Sequence, residues 1–126
     1  MKRNFIILFL MWGVSICVAQ TSESPPDFEY YHHRNEVRRG DSEEFLVGKY
    51  GKPEHQFIKP RRDFVGVYYE GIELTYPSRN PEFKNIPVKE MFWHLKSDLN
   101  LTCWLHHKDG QWIVISYAFW PPGAVF

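Results

Sequence analysis

Hydrophobic and polar residues alternate most clearly along 99–120, LNLTCWLHHKDGQWIVISYAFW, where two β-rich runs flank an Asp-Gly pair. Such a pair between alternating runs is a strong short-range hairpin signal. A three-residue loop of Lys108, Asp109 and Gly110 puts Gly110 in the left-handed position of a type I turn plus bulge, a conformation glycine adopts without steric cost. That loop sets a register: His107 opposite Gln111, Leu105 opposite Ile113, Cys103 opposite Ile115, Leu101 opposite Tyr117 and Leu99 opposite Phe119. Side chains alternate across a strand, so the last four pairs share one apolar face. The other face carries Asn100, Thr102, Trp104 and His106 against Trp112, Val114, Ser116 and Ala118. A two-residue Asp109-Gly110 turn would slip the register and mix apolar with polar positions on both faces.

The pattern continues upstream. Along 88–95, Met91, Trp93 and Leu95 alternate with Glu90, Phe92 and His94. A Lys96-Ser97-Asp98 loop then pairs Leu95 with Leu99, Trp93 with Leu101 and Met91 with Cys103, which extends the apolar face into a three-stranded meander. A helix over the same residues, with Pro87 in its first turn, is the competing reading. The run DFVGVYYEGIELTYP at 63–77 predicts a second hairpin turning at Glu70-Gly71, with Val65, Val67 and Tyr69 sharing a face with Ile72, Leu74 and Tyr76. A short strand is expected at 55–58 and a loop at 78–87. The best helix candidate is 40–53, GDSEEFLVGKYGKP. Asp41 can cap its first turn with Glu44 completing a capping box, Phe45, Leu46 and Tyr50 form its apolar stripe, and Gly51 and Pro53 end it. Gly48 inside it costs roughly 1 kcal/mol relative to alanine unless close packing requires it. These elements predict an α+β fold: one or two short helices packed on a mainly antiparallel β-sheet that ends in a C-terminal three-stranded meander.

Composition adds a compartment. The first 19 residues, MKRNFIILFLMWGVSICVA, read as a signal peptide: Lys2 and Arg3, an apolar run, and Cys17-Val18-Ala19 at a small-residue cleavage site. An uncleaved anchor and a lipoprotein acylated at Cys17 are the alternatives, and either would make a membrane contact at the N-terminus alone. Residues 20–39 then form a leader or arm, and 40–126 a single domain. Loss of Lys2 and Arg3 leaves 13 basic against 15 acidic residues, a balance that gives no reason to expect nucleic acid as a partner. Cys103 alone would remain, so the domain must rest on its core and not on a disulfide.

Candidate chemistry gathers on the second face of the meander. Trp104, Trp112, Phe92, Thr102 and His94 form a candidate surface for a ligand or partner, since tryptophan supplies both area and an N–H group. A helix or the N-terminal arm covering that face is the equally weighted alternative. Glu90 lies diagonally near His106 and gives the weak acid–base pair of an otherwise non-catalytic reading. No metal site or cofactor is expected, because His94 and His106 are separated by roughly 20 Å along the strand at ~3.3 Å per residue. Cys103 has no local imidazole to activate it, since His106 points to the other face and His107 lies about 13 Å along the strand, which leaves only His32, His33 or His55 to approach from elsewhere in the chain. Asn100-Leu101-Thr102 matches a glycosylation sequon inside a predicted strand. The clusters Arg34, Arg38, Arg39 and Lys59, Arg61, Arg62 offer cations to an anionic partner or act as solvated faces.

The run DSEEFLVGKYGKPE at 41–54, followed by FVGVYYEGIELTY, resembles the helix-to-strand step of small bacterial envelope lipoproteins of the β-lactamase-inhibitor-like or outer-membrane assembly lipoprotein superfamily. The resemblance implies a helical segment packed on an antiparallel sheet, and binding of envelope or secreted proteins instead of catalysis. The expectation is therefore an exported module, periplasmic or extracellular, that binds a protein through its aromatic sheet face. A small enzyme or carbohydrate-binding domain using the same face is the alternative.

Overall fold

The structure is a computed structural model that describes residues 36–123. The signal peptide, most of the leader, Cys17, His32, His33 and Arg34 lie outside the described residues. Four antiparallel strands follow one another in sheet order β1-β2-β3-β4: β1 is His55–Pro60, β2 Pro87–Lys96, β3 Leu99–Lys108 and β4 Gln111–Trp120. The helix α1 spans Glu43–Tyr50. The expected α+β class is observed, and β2 is a strand and not a helix. Among the described residues no helix is long and apolar enough to cross a membrane.

Helix α1 starts one residue later than its capping pattern suggests. The Ser42 hydroxyl accepts from the Phe45 amide at 3.0 Å, while Asp41 accepts from the Arg38 amide and closes the turn before the helix. Gly51, at φ 84°, ends it by donating to the Val47 carbonyl. The chain before the helix is stitched to β4, with the Gly40 amide on the Val114 carbonyl and the Val114 amide on the Asp41 carbonyl, both at 2.8 Å.

Two corrections concern register. The Asp-Gly turn is the two-residue kind, with Asp109 at φ 52° and Gly110 at φ 81° and Lys108 opposite Gln111, as expected of a type I′ hairpin. The ladder then breaks: Leu105 faces Val114 but Trp104 faces Ser116, so Ile115 is an extra residue in β4. A bulge of this kind turns the strand and reverses which face each later residue occupies. Turn and bulge together shift the pairing by two, so Tyr117 and Phe119 keep the face assigned to them, now opposite Cys103 and Leu101. Between turn and bulge the faces are exchanged: Trp112 and Val114 join the side of Leu105, while Ile113 joins that of His106. At the preceding turn Lys96 pairs with Leu99, which makes it a two-residue Ser97-Asp98 turn with Leu95 as the extra residue. The pairs Met91–Cys103 and Trp93–Leu101 stand as expected.

The third correction is larger. Residues 63–77 form no hairpin; Val67–Leu74 is two 3₁₀-helical turns that meet at a kink at Tyr69, entered through Gly66 at φ 119°. Tertiary packing overrides the alternation. Ile72 and Phe64 are buried, Tyr68, Tyr69 and Tyr76 pack around them, and Val65 and Val67, expected on one face with Ile72, are exposed. Segment 61–76 is therefore a strap across the sheet. Gly71 makes its close approach to β4: a methyl group there would overlap the Ser116 hydroxyl and lie 3.0 Å from its Cβ.

The sheet is thus covered on both sides. On one, Leu46 and Val37 pack on Met91, Trp93, Leu101, Cys103, Leu105 and Val114. On the other, Phe64 and Ile72 of the strap pack on Val88, Trp104 and Ile115.

Candidate functional site

A single arginine organises the strap. Arg61 is 2 % exposed. Its Nε donates to the Tyr76 carbonyl at 2.7 Å, one terminal nitrogen to the Phe64 carbonyl at 2.8 Å, and the other to Glu73 Oε1 at 2.8 Å. A guanidinium suits this task because its donors form a rigid fork. Glu73 also accepts from the Ser78 amide. Ser78 first, and Arg61 after it, hold that carboxyl below its ordinary range. The two ends of the strap are thereby closed on one buried cation.

Beneath the strap lies the predicted aromatic face. Trp104 is 1 % exposed; its Nε1 donates to Glu90 Oε1 at 2.8 Å, and Tyr68 and Tyr69 meet its ring edge-on at 5.2 and 5.8 Å. Burial pushes Glu90 above the ordinary carboxylate range, opposed by the Trp104 hydrogen bond and by His55 and Lys59. Thr102 is buried, sharing a 3.0 Å hydrogen bond with the Tyr68 hydroxyl and accepting from Trp120 Nε1 at 2.9 Å. Phe92 is half-buried between His55 and Trp120. His94 is exposed and its Nδ1 meets Asn100 Oδ1 at 2.6 Å.

Trp112 is elsewhere. It packs on the α1 side of the sheet, with the His107 ring 5.2 Å away and the Lys89 ammonium 4.9 Å above its centre. The exchanged register separates it from Trp104, so the two tryptophans form no common surface. Glu90 and His106 also have different partners, because His106 Nδ1 is bonded to the Tyr76 hydroxyl at 2.6 Å. Cys103 is buried on the α1 side, and desolvation pushes its thiol far upward. Among the described residues no three His, Cys, Asp or Glu side chains converge as metal ligands.

An open concavity lies on the outer side of the strap. It is a cleft of about 500 Å³ whose lining includes Arg62, Val65, Val67, Glu70, Ser78 and Lys84. Val65 and Val67 are 76 % and 72 % exposed. A volume of this size falls in the range of sites that hold small ligands or side chains. The alternation of 63–77 hid these residues, since it placed both valines on a buried face. The signal that would have found the strap is the spacing of Phe64, Tyr68, Ile72 and Tyr76, four residues apart throughout, which one helical face accommodates and a hairpin turning at Glu70-Gly71 splits between two faces.

Comparison with protein-family models, with curated proteins and with solved structures found no match.

Proposed function

We propose that this chain is an exported, non-enzymatic binding or envelope-assembly module, and that it holds a protein or peptide on the outer cleft of the strap. The carrying observation is the pair Val65 and Val67: two large apolar side chains left in solvent beside a cleft, on a segment whose ends are closed on buried Arg61. Apolar groups displayed on a rigid support are a usual signature of an interaction site. The ammonium of Lys84 and the carboxylate of Glu70 line the same cleft and would set the direction of a partner segment with an acidic residue beside its apolar anchor. The resemblance of 41–54 to envelope lipoproteins points to the same class of partner, and the signal-like N-terminus to the same compartment. The aromatic face contributes indirectly, as the floor that holds the strap in place.

The test is a panel of short peptides with one or two apolar anchors, measured by fluorescence anisotropy. Burying both valines is worth about 3 kcal/mol, so the double substitution Val65→Ser/Val67→Ser should weaken a binding peptide roughly 100-fold. Trp112→Ala, on the other side of the sheet, should leave it unchanged. Equal loss in both variants, or none in the valine variant, would remove the cleft from the account.

A further inference from the structure

A second feature lies at the far end of the strap and shares none of the cleft's lining residues. Three cationic or titratable side chains meet there, two from β3 and one from the segment before α1. Arg39 comes from the segment stitched to β4, and its guanidinium donates to Thr75 Oγ1 at 3.0 Å. His106 comes from β3, with Nδ1 occupied by the hydroxyl of Tyr76, the residue next to Thr75. Lys108 follows two positions along β3 and so projects from the same face as His106. Among the described residues no carboxylate forms an ion pair with any of the three. Arg39 and Lys108 both act on the His106 ring, and a bound anion would balance the two positive charges.

We propose that this corner binds an oxyanion of the phosphate-monoester type, gripped by Arg39, Lys108 and the Nε2 of His106. The fork of Arg39 supplies paired donors to phosphate oxygens, and Lys108 supplies a point charge. In the tautomer whose Nδ1 accepts from the Tyr76 hydroxyl, the neutral imidazole carries its proton on Nε2 and donates it to the anion. Burial first, then Lys108 and Arg39, hold His106 below its ordinary range. The groups facing the ring are the Arg39 guanidinium, the Lys108 ammonium and the Tyr76 hydroxyl. A bound phosphate anion opposes the two cations and favours the imidazolium, so its binding raises the His106 titration midpoint.

The experiment follows the His106 ring protons by NMR while inorganic phosphate is added at constant ionic strength, with chloride as the control. A saturable shift at His106, absent from His55 and His94, and an upward move of its titration midpoint are expected. Arg39→Gln and Lys108→Gln, both at exposed positions, should each weaken phosphate about fivefold, and Arg39→Lys less than Arg39→Gln. A second arm measures flotation with phosphatidylcholine vesicles with and without phosphatidic acid. Binding to the acidic vesicles that is lost in Arg39→Gln/Lys108→Gln assigns the phosphate to a lipid headgroup; a response to phosphate alone assigns it to a soluble ligand. An unsaturable shift, one shared equally by His55 and His94, or phosphate binding unchanged in the double variant would overturn the proposal.

Discussion

Replacing Arg61 by methionine is the sharpest perturbation of this fold. The side chain is 3 % exposed and serves three acceptors, two of them backbone carbonyls at Phe64 and Tyr76. Methionine preserves much of the volume and removes every donor. A buried acceptor left without a partner costs roughly 1–3 kcal/mol, and the two carbonyls together place the loss at about 3–5 kcal/mol. The Glu73 bond adds little, because that carboxylate is 42 % exposed and water can replace the guanidinium. Urea unfolding followed by circular dichroism reads the difference. A loss of this size is a large fraction of the total stability of about 5–15 kcal/mol usual for one domain, and it should lower the midpoint without changing the slope. Arg61→Lys should recover only part of it, since an ammonium cannot reproduce the fork. The reasoning fails if Glu73→Gln destabilises as much as Arg61→Met, because the ion pair and not the carbonyls would then hold the strap.

Gly71→Ala should cost about 1–3 kcal/mol by overpacking against Ser116, and the cost should shrink in a Ser116→Gly background, which a double-mutant cycle would show. Gly48→Ala should stabilise by about 0.5–1 kcal/mol, since nothing lies within 4 Å of the added methyl; an unchanged melting temperature would count against this. Glu90→Gln should gain stability over the parent as pH rises. Burial raises the folded carboxyl, so the unfolded chain loses its proton first, near its ordinary value of about 4.3, and parental stability falls until the folded group also ionises. Below that range the two proteins should unfold alike, and a pH-independent difference would contradict the assignment.

Much of the fold was legible because strong local signals agreed with it. The pairing of Met91 with Cys103 and of Trp93 with Leu101 follows from alternation alone, and α1 from its polar start and glycine stop. The errors share one physical cause. Segregation of apolar from polar residues was used to choose the register, which assumes that one face of the sheet meets water. Both faces are covered, so Trp112 can lie with Leu105 and Ile113 with His106, and mixing is no argument against the two-residue turn. The bulge at Ile115 has no local sequence signature; it serves the packing of Ile115 beside Trp104 and Phe64. The strap was missed for a related reason. Val65, Val67 and Tyr69 alternate as a strand does, while the burial of Ile72 and the bonds of Arg61 depend on residues distant in sequence. Of the candidate site, Trp104, Thr102 and Phe92 share one sheet face, as alternation alone requires, but the strap over that face depends on contacts distant in sequence.

Hydrogen exchange at the Trp104 indole Nε1–H tests the central claim, that the strap roofs the aromatic face and turns the binding surface outward. With that proton donated to Glu90 beneath Tyr68 and Tyr69, it should persist in deuterated buffer on the order of hours, and exchange much faster in Arg61→Met. Exchange within the dead time of the unmodified protein, at the rate of a free indole, would mean that the face is open and the account wrong.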